Sequence, residues 1–578
     1  MERISGIYGL ENFLKTEVKD TVKKMLSHGA GESENIEVWS DDINLALGVA
    51  GNSSAHSNSG DTIISSGNNE IEIKSLLSDL QSDGLEETLK KLKGKFCFAW
   101  WNEGSGKLVI ARDRLGINPI YWCVENKKGA IMFASEMKTL LASGLIPRSL
   151  NNDAVVDYLR YSTVHVPKTL VEGIHVLEPG CAIEVQDETV HVLRWWDTAE
   201  ETLLNGSKSV KSEMLRAVRS SLTKDSQVVY LSGGVDSSSL IGAISQLSEN
   251  PVINTFAIEF EGSTPWEELD AYKTSVEFST NHTTIKVSEE SSSKKLHKAI
   301  ELMDSPSIYG IKSHFIATSA KEAGFNSLIS DLGFNEIFGK HPVLKHPVFK
   351  TSVELMKHRW LTAWPRGLRL FAGWILKTLS PGESSNKKAE ILASNYFDLE
   401  HTYPLARQTI LDSQIKLLTP NLALARNSVF YGVANILRVG KSAFKLPFLS
   451  KVSILEMHTH LLSTLLPNAQ TFNSENSLDY TTPFLDHNLV TQVLANEDLE
   501  FLTINFLNKQ TTPTKFPWEL QLNGVYLDFH NEGIEALKDL VVFSKKAVHD
   551  FDNNSLSTAN QRLSLSTLGH YIKQNNLS

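Results

Sequence analysis

The chain has 578 residues, with 67 Asp and Glu against 56 Lys and Arg, a formal net charge of −11. That length allows two to four domains of about 150 residues each, and the acidic balance argues against nucleic acid as a main partner. The three cysteines, Cys97, Cys123 and Cys181, are too few for a disulfide framework or a four-cysteine zinc site and fit a reducing, cytoplasmic setting.

The opening MERISGIYGLENF lacks the basic-then-apolar order of a secretion signal. No apolar run reaches the roughly 18 residues a transmembrane helix needs. Up to residue 195 the pattern is short strands, such as Lys107–Arg112, Ala130–Ala134 and Cys181–Val185, between Gly, Asn and Pro turns. The Ser/Asn/Gly-rich stretch 51–69 is expected to form an exposed loop. Glu70–Leu92 has helical spacing, and Trp196–Lys208 reads as a domain boundary.

Beyond that boundary the pattern changes. Val210–Leu222 and Ser237–Leu247 are predicted helices, and Gln227–Leu231, Ile253–Ile258 and Ser327–Ile329 predicted strands. Such alternation predicts a parallel sheet covered on both faces. After about Phe349 the spacing is mostly helical, with Ser380–Lys388 expected as an exposed loop. Lys357–Leu379, basic with three tryptophans, reads as a helix pair over the core; the alternative is a membrane-surface or peptide-gripping segment. His341 and His346 lie in a proline-punctuated loop, not in a metal-ligand spacing.

The segment 227–240 reads QVVYLSGGVDSSSL. A buried strand runs into Ser232-Gly233-Gly234-Val235-Asp236-Ser237-Ser238 and then into a helix. Two glycines let backbone N–H groups converge on one point. The helix N-terminus behind them adds donors and partial positive charge. Ser232, Ser237 and Ser238 add hydroxyls, so the unit suits pyrophosphate. Asp236 would repel bare phosphate and therefore implies a bridging Mg²⁺.

This loop resembles the pyrophosphate loop of N-type ATP pyrophosphatases, and its surroundings resemble asparagine synthetases. GKFCFAWW (94–101), ARDRLGINPIY (111–121), FASEMKTLL (133–141), SDLGFNEIFG (330–339) and SLDYTTPFLDH (477–487) stand in the family's order and spacing. The resemblance implies an α/β protein of two parts. Residues 1–200 would be a degenerate αββα glutaminase-like domain of the N-terminal-nucleophile type. Residues 205–578 would be a parallel-sheet ATP pyrophosphatase domain with a helical C-terminal region. It further implies an ATP-dependent, AMP-forming carbon–nitrogen ligase. By the same resemblance ATP would be bound by Leu231, Ser232, Gly233, Gly234, Asp236, Ser237, Ser238, Ile258, Ser330 and Asp331. Leu231 and Ile258 would pack the adenine, and Asp236 and Asn335 would hold the metal. Glu336 and Lys515 are the catalytic candidates, with Lys509 as the rival lysine.

The sequence also departs from the family. Family glutaminases expose an N-terminal cysteine whose own amine is the base. Here Ser5-Gly6-Ile7 stands in that place, behind four residues. His28-Gly29-Ala30 and Asn68-Asn69-Glu70 are poor matches to the glutamine-gripping motifs. In the second half Asn335 replaces the family's metal-facing Asp. Leu332 stands where relatives carry a Tyr or Glu base, and leucine moves no proton. Gln470, Thr471 and Thr481 replace the residues that recognise aspartate. These losses resemble the cysteine-lacking ring closers, such as lasso-peptide macrolactam synthetases and β-lactam synthetases. The expected substrate is then a precursor peptide delivered by a partner protease, or a small molecule carrying both carboxylate and amine. An ammonia-fed asparagine synthetase and a non-catalytic nucleotide-binding relative are the rivals.

Overall fold

The computed structural model describes residues 2–578 apart from 10–14, 29–34, 42–43, 68–71, 126–129, 187–188, 206–208, 223–226, 248–252, 262–265, 341, 348, 351–364, 380–382, 394–397, 425–427, 435, 437–441, 497–524 and 555–556. Among the described residues the first part holds twelve strands: β1 (Glu2–Gly9), β2 (Ile36–Ser40), β3 (Leu45–Gly51), β4 (Ser54–Asn58), β5 (Asp61–Ser66), β6 (Cys97–Asn102), β7 (Lys107–Arg112), β8 (Tyr121–Glu125), β9 (Ala130–Ala134), β10 (His175–Val176), β11 (Cys181–Gln186) and β12 (Thr189–Arg194). They form two six-stranded antiparallel sheets, ordered β10-β8-β9-β1-β3-β2 and β12-β11-β7-β6-β5-β4.

Side-chain alternation sets the layers. Ile4, Leu45, Leu47 and Val49 from one sheet meet Ile64, Leu108 and Ile110 from the other in a shared core. Ile7, Ala46 and Ala50 point the opposite way, against Val18, Val22 and Met25 of α1 (Lys15–Ser27). Ile63, Trp100 and Val109 face Leu76, Leu77 and Leu80 of α2 (Ile73–Lys91). The result is the expected helix–sheet–sheet–helix stack. Shorter helices α3 (Met137–Ala142) and α4 (Asn152–Tyr161) add to it.

Most of the stretch read as an exposed loop, 51–69, is instead the β4–β5 hairpin. Its Thr62-Ile63-Ile64 run is buried on both faces, which outweighs the polar composition around it. Ser59 and Gly60 both take positive φ, +55° and +86°, as a two-residue hairpin turn requires. The Ser-rich β4 is left as a polar outer strand.

In the second part, α5 (Thr198–Asn205) and α6 (Val210–Ser220) lead into a five-stranded parallel sheet. Its strands are β13 (Gln227–Tyr230), β14 (Asn254–Phe260), β15 (Asn281–Val287), β16 (Ser327–Ile329) and β17 (Asp479–Thr481), in the order β15-β14-β13-β16-β17. Between them run α7 (Val235–Ser245), α8 (Trp266–Glu277), α9 (Glu289–Leu302) and α10 (Gly310–Glu322). Val229 and Ile329 face Met214, Ala217, Leu240 and Ile241 on one side. Val228, Phe256 and Leu328 face Leu296, Ile300, Ile311 and Phe315 on the other. Both faces of the central strands are covered, so β13, β14 and β16 carry continuous apolar runs, whereas the edge strands β15 and β17 are largely polar.

Strand order reverses between β13 and β16, and ligands of open α/β sheets bind beyond the strand ends at such a switch. The Ser232–Ser238 loop leaves β13 and the Ser330–Gly339 segment leaves β16, so topology alone brings these two motifs together.

The expected loop 380–388 is corrected from residue 383 onward, where a helix runs Glu383–Ala393. Buried Lys387, Ala389 and Ile391 supply its inner face. It packs on the helix Arg366–Leu379, where a Cβ on Gly373 would lie 3.2 Å from that of Ala389. Leu368, Phe371 and Trp374 of that helix stay exposed rather than covering the core. Among the described residues, no helix is long and apolar enough to cross a membrane.

Candidate active site

β13 hands over to the loop at Leu231, whose N–H donates to Phe256 O at 2.8 Å. Gly233 has φ +73°, and a Cβ there would lie 2.8 Å from Ala271 N on α8. Backbone conformation and contact therefore both demand glycine. Gly234 caps α7. The Ser232 and Ser237 hydroxyls lie 3.1 Å apart, and Gly234 N–H donates to Ser232 Oγ at 3.3 Å. Ser237 and Ser238 are buried, with Ser238 Oγ 3.5 Å from Thr274 Oγ1. These two hydroxyls thus brace the turn, while Ser232 and Asp236 face the cavity.

The opposite wall comes from β16. Ser330 N–H donates to Thr481 O at 2.9 Å, tying it to β17. Ser330 Oγ accepts from Leu332 N–H at 3.1 Å. Gly333, at φ +95°, opens α11 (Phe334–Ile337), and Asn335 Nδ2 donates across the cavity mouth to Asp236 Oδ2. Between the walls lies a cavity of about 200 Å³. Ser232, Asp236, Ser330, Asp331, Asn335 and Glu336 line it, as do Tyr230, Lys312, Leu332 and Asn473.

Three carboxyl groups share this small space. Burial raises Asp331 to about 7, with the Asp236 charge pushing the same way. Burial likewise raises Glu336 to about 7. Asp236 is also raised by burial, against the opposing Asn335 hydrogen bond and the charge of Lys312. Lys312 Nζ sits 5.8 Å from the centroid of the Tyr230 ring. Crowded, desolvated carboxylates are stabilised by a hard cation, so the oxygen donors fit Mg²⁺. Asn335 presents its amide nitrogen to Asp236, so its share in such a site requires the amide to turn.

The structure brings together six of the sequence-predicted residues: Ser232, Asp236, Ser330, Asp331, Asn335 and Glu336. Gly233, Gly234, Ser237 and Ser238 form the frame behind them. Leu231 is fully buried in the core, and Ile258 is half-buried on β14. Lys509 and Lys515 lie outside the described residues, as do Gly29, Ala30, Asn68, Asn69 and Glu70. Sequence reading missed Lys312, Tyr230 and Asn473. Lys312 belongs to no motif, and only the packing of α10 against the sheet puts it in the cavity.

Ser5 is in a different environment. It sits mid-strand in β1, opposite Gly48 of β3 and Ala134 of β9. It is fully buried, and its hydroxyl has no hydrogen-bond partner among the described residues.

Comparison with known proteins matches residues 56–196 to the glutamine amidotransferase domain and residues 209–502 to asparagine synthase. The second match covers half of the molecule. The chain belongs to the asparagine synthase family. It is 24% identical over 417 residues to asparagine synthetase [glutamine-hydrolyzing] 1 of Bacillus subtilis, covering 69% of this chain and 61% of that protein. A putative asparagine synthetase [glutamine-hydrolyzing] of Mycobacterium tuberculosis is 24% identical over 416 residues, with coverages of 69% and 61%. Amidase chry2 of Gibberella zeae is 27% identical over 301 residues, with coverages of 47% and 43%. The chain thus spans about three fifths of the length of these asparagine synthetases.

Proposed function

We propose that the chain is an ATP-dependent, AMP-forming amide synthetase that draws its nitrogen from a substrate amine and not from glutamine. One observation carries this reading: the glycine-serine loop with Asp236 and the Asp331–Glu336 pair meet at the switch point of a parallel sheet. A substrate carboxylate oxygen attacks the α-phosphorus of ATP, and pyrophosphate leaves into the loop. An amine then attacks the acyl carbon, AMP departs and the amide remains. Mg²⁺, held by Asp236 with Asp331, would supply charge neutralisation for the phosphates. Gly233 and Gly234 shape the amide cradle, and Lys312 faces the same charge from the other side. Glu336, raised to about 7, is poised to carry a proton near neutral pH.

Buried, mid-strand Ser5 supports an N-terminal part that serves as scaffold. Leu332 and the missing aspartate-recognition residues favour a substrate other than aspartate. The finer reading is closure of a macrolactam in a ribosomal peptide, joining an N-terminal amine to an Asp or Glu side chain. Carboxylate and amine on one molecule give a large effective molarity once the carboxylate is activated. Lys515 is assigned the charge on the departing AMP, and a separate protease would deliver the peptide in the cytoplasm. The named relatives favour a second reading, an asparagine synthetase, which buried Ser5 would leave fed by ammonia rather than by glutamine.

Purified protein with ATP and Mg²⁺ separates these readings. Candidate partners are a linear precursor peptide, aspartate with ammonium, or glutamine. Pyrophosphate and AMP formed with the peptide, which loses one water, is the expected outcome. Turnover on aspartate with ammonium alone selects the second reading. ADP and phosphate overturn the adenylation chemistry.

A further inference from the structure

Outside the lining of the cavity at the switch point, three helices meet: α9, Val525–Lys538 and Ala559–Gln574. Each contributes one metal-ligating side chain to a single point. His297, Glu532 and His570 place one ligand atom each within 4.8 Å of the others. His297 Nε2 already lies 3.7 Å from Glu532 Oε2.

The second nitrogen of each ring is fixed by a backbone carbonyl. His297 Nδ1 is 3.2 Å from Ser293 O, and His570 Nε2 is 2.7 Å from Phe529 O. A carbonyl only accepts, so each of these nitrogens carries the ring proton. His297 Nε2 and His570 Nδ1 are thereby left with lone pairs. Metal-binding histidines are commonly oriented by such outer hydrogen bonds. The ring planes are held as well. Phe529 stacks on His570 at 4.1 Å between centroids and 19° between planes, and meets the edge of His297 at 5.2 Å and 90°.

We propose that His297, Glu532 and His570 form a binding site for a borderline divalent cation, with Zn²⁺ the best match to two imidazoles and a carboxylate. Zinc bonds of about 2.0–2.2 Å require the three ligand atoms to draw closer. Glu532, 59% exposed, is the ligand with room to swing inward. His570, stacked on Phe529, is the fixed ligand. Water completes the coordination. The oxygen cage at Asp236 suits Mg²⁺, so ligand type keeps the two ions apart. The ion would clamp α9, which flanks the parallel sheet, to the two helices near the C-terminus.

The test uses the full untagged chain, stripped with EDTA, titrated with Zn²⁺ against a chromophoric chelator and with Co²⁺ for visible absorption. One tight equivalent of Zn²⁺, a Co²⁺ band of four- or five-coordinate type and a raised Tm are expected. His297→Ala, on an exposed position, should fold normally by circular dichroism yet weaken Zn²⁺ binding at least about tenfold. Glu532→Ala and His570→Ala should do the same, and Asp236→Ala should leave the zinc stoichiometry intact. A tight equivalent retained in the His297→Ala/Glu532→Ala double variant overturns the proposal, as does the lack of any tight equivalent. None of these readouts involves ATP, so this outcome is independent of the proposed synthetase activity.

Discussion

The first strand of the antiparallel pair of sheets and the loop after β13 are two places where this fold can hold reactive groups, and the chain treats them oppositely. At Ser5 the strand continues through the position, bonded on both sides and sealed from water. At Ser232–Asp236 the strand stops, the backbone bends through a left-handed glycine, and polar groups line an open cavity. The surrounding frame is equally well packed in both. The difference lies in where unsatisfied polarity is concentrated. The β13 loop and the segment after β16 together gather three carboxyl groups whose charges conflict without a cation, an arrangement that costs stability and is kept where chemistry needs it. The β1 site holds one uncharged hydroxyl.

The sharpest way to break that contrast is Asp236→Ala. Substrate-dependent pyrophosphate release should fall at least about 100- to 1,000-fold, the scale of losing a central electrostatic group, while the folded state persists. Activity within a few-fold of the parent would detach the loop from the chemistry. Lys312→Met comes next. It removes the cation that faces Asp236 and Asp331. A charge-assisted contact of about 1.5–3 kcal/mol corresponds to a loss of about 10- to 100-fold in kcat/KM for ATP. Steady-state kinetics at several ATP concentrations measures it, and an unchanged value would remove Lys312 from the site.

The carboxyl cluster also leaves a mark on stability. Asp331 and Glu336 titrate near 7 in the folded chain and near 4 when unfolded. The native state therefore holds protons that the unfolded state has lost, and this contribution to stability falls as pH rises through 7. Thermal unfolding in EDTA should show Tm dropping by a few degrees between pH 6.5 and 8. The lowered histidines His314, His458 and His487, at about 4, are neutral in both states over most of that window. Asp304, also near 7, contributes in the same direction, so the Asp331→Asn/Glu336→Gln double variant is the control. It should show the smaller slope, and equal slopes would mean that the cluster does not titrate as a buried group.

Much of this contrast was legible in the sequence. Apolar periodicity placed β13, β14 and β16 to within one or two residues, because strands buried on both faces leave little ambiguity, but the polar edge strands β15 and β17 carried no such run and were not read as strands. The glycine-serine loop and SDLGFNEIFG were recognisable because backbone geometry restricts residue choice there. Lys312 was not, since a lysine on a helix carries no local sign of what topology places opposite it. The β4–β5 hairpin was missed for a related reason: composition over nineteen residues hid the two-residue apolar run Ile63-Ile64. Asn335 was read as a metal ligand from its motif position, and its side chain instead donates to Asp236, a choice of partner that spacing does not encode.

The smallest expected effect is the most discriminating for the first site. A buried hydroxyl without a partner gives up hydration and gains nothing in return. Ser5→Ala removes that burden and changes volume little, so stability should stay level or rise by up to about 1 kcal/mol. Pyrophosphate release should stay within about twofold of the parent, since Ser5 touches none of the groups around Asp236. Chemical denaturation and the pyrophosphate assay, run side by side, measure both quantities. If Ser5→Ala instead abolished glutamine-dependent amide formation while sparing the ammonium-dependent reaction, β1 would be a working nucleophile strand. The two regions would then be partners in one reaction, not a scaffold and a site.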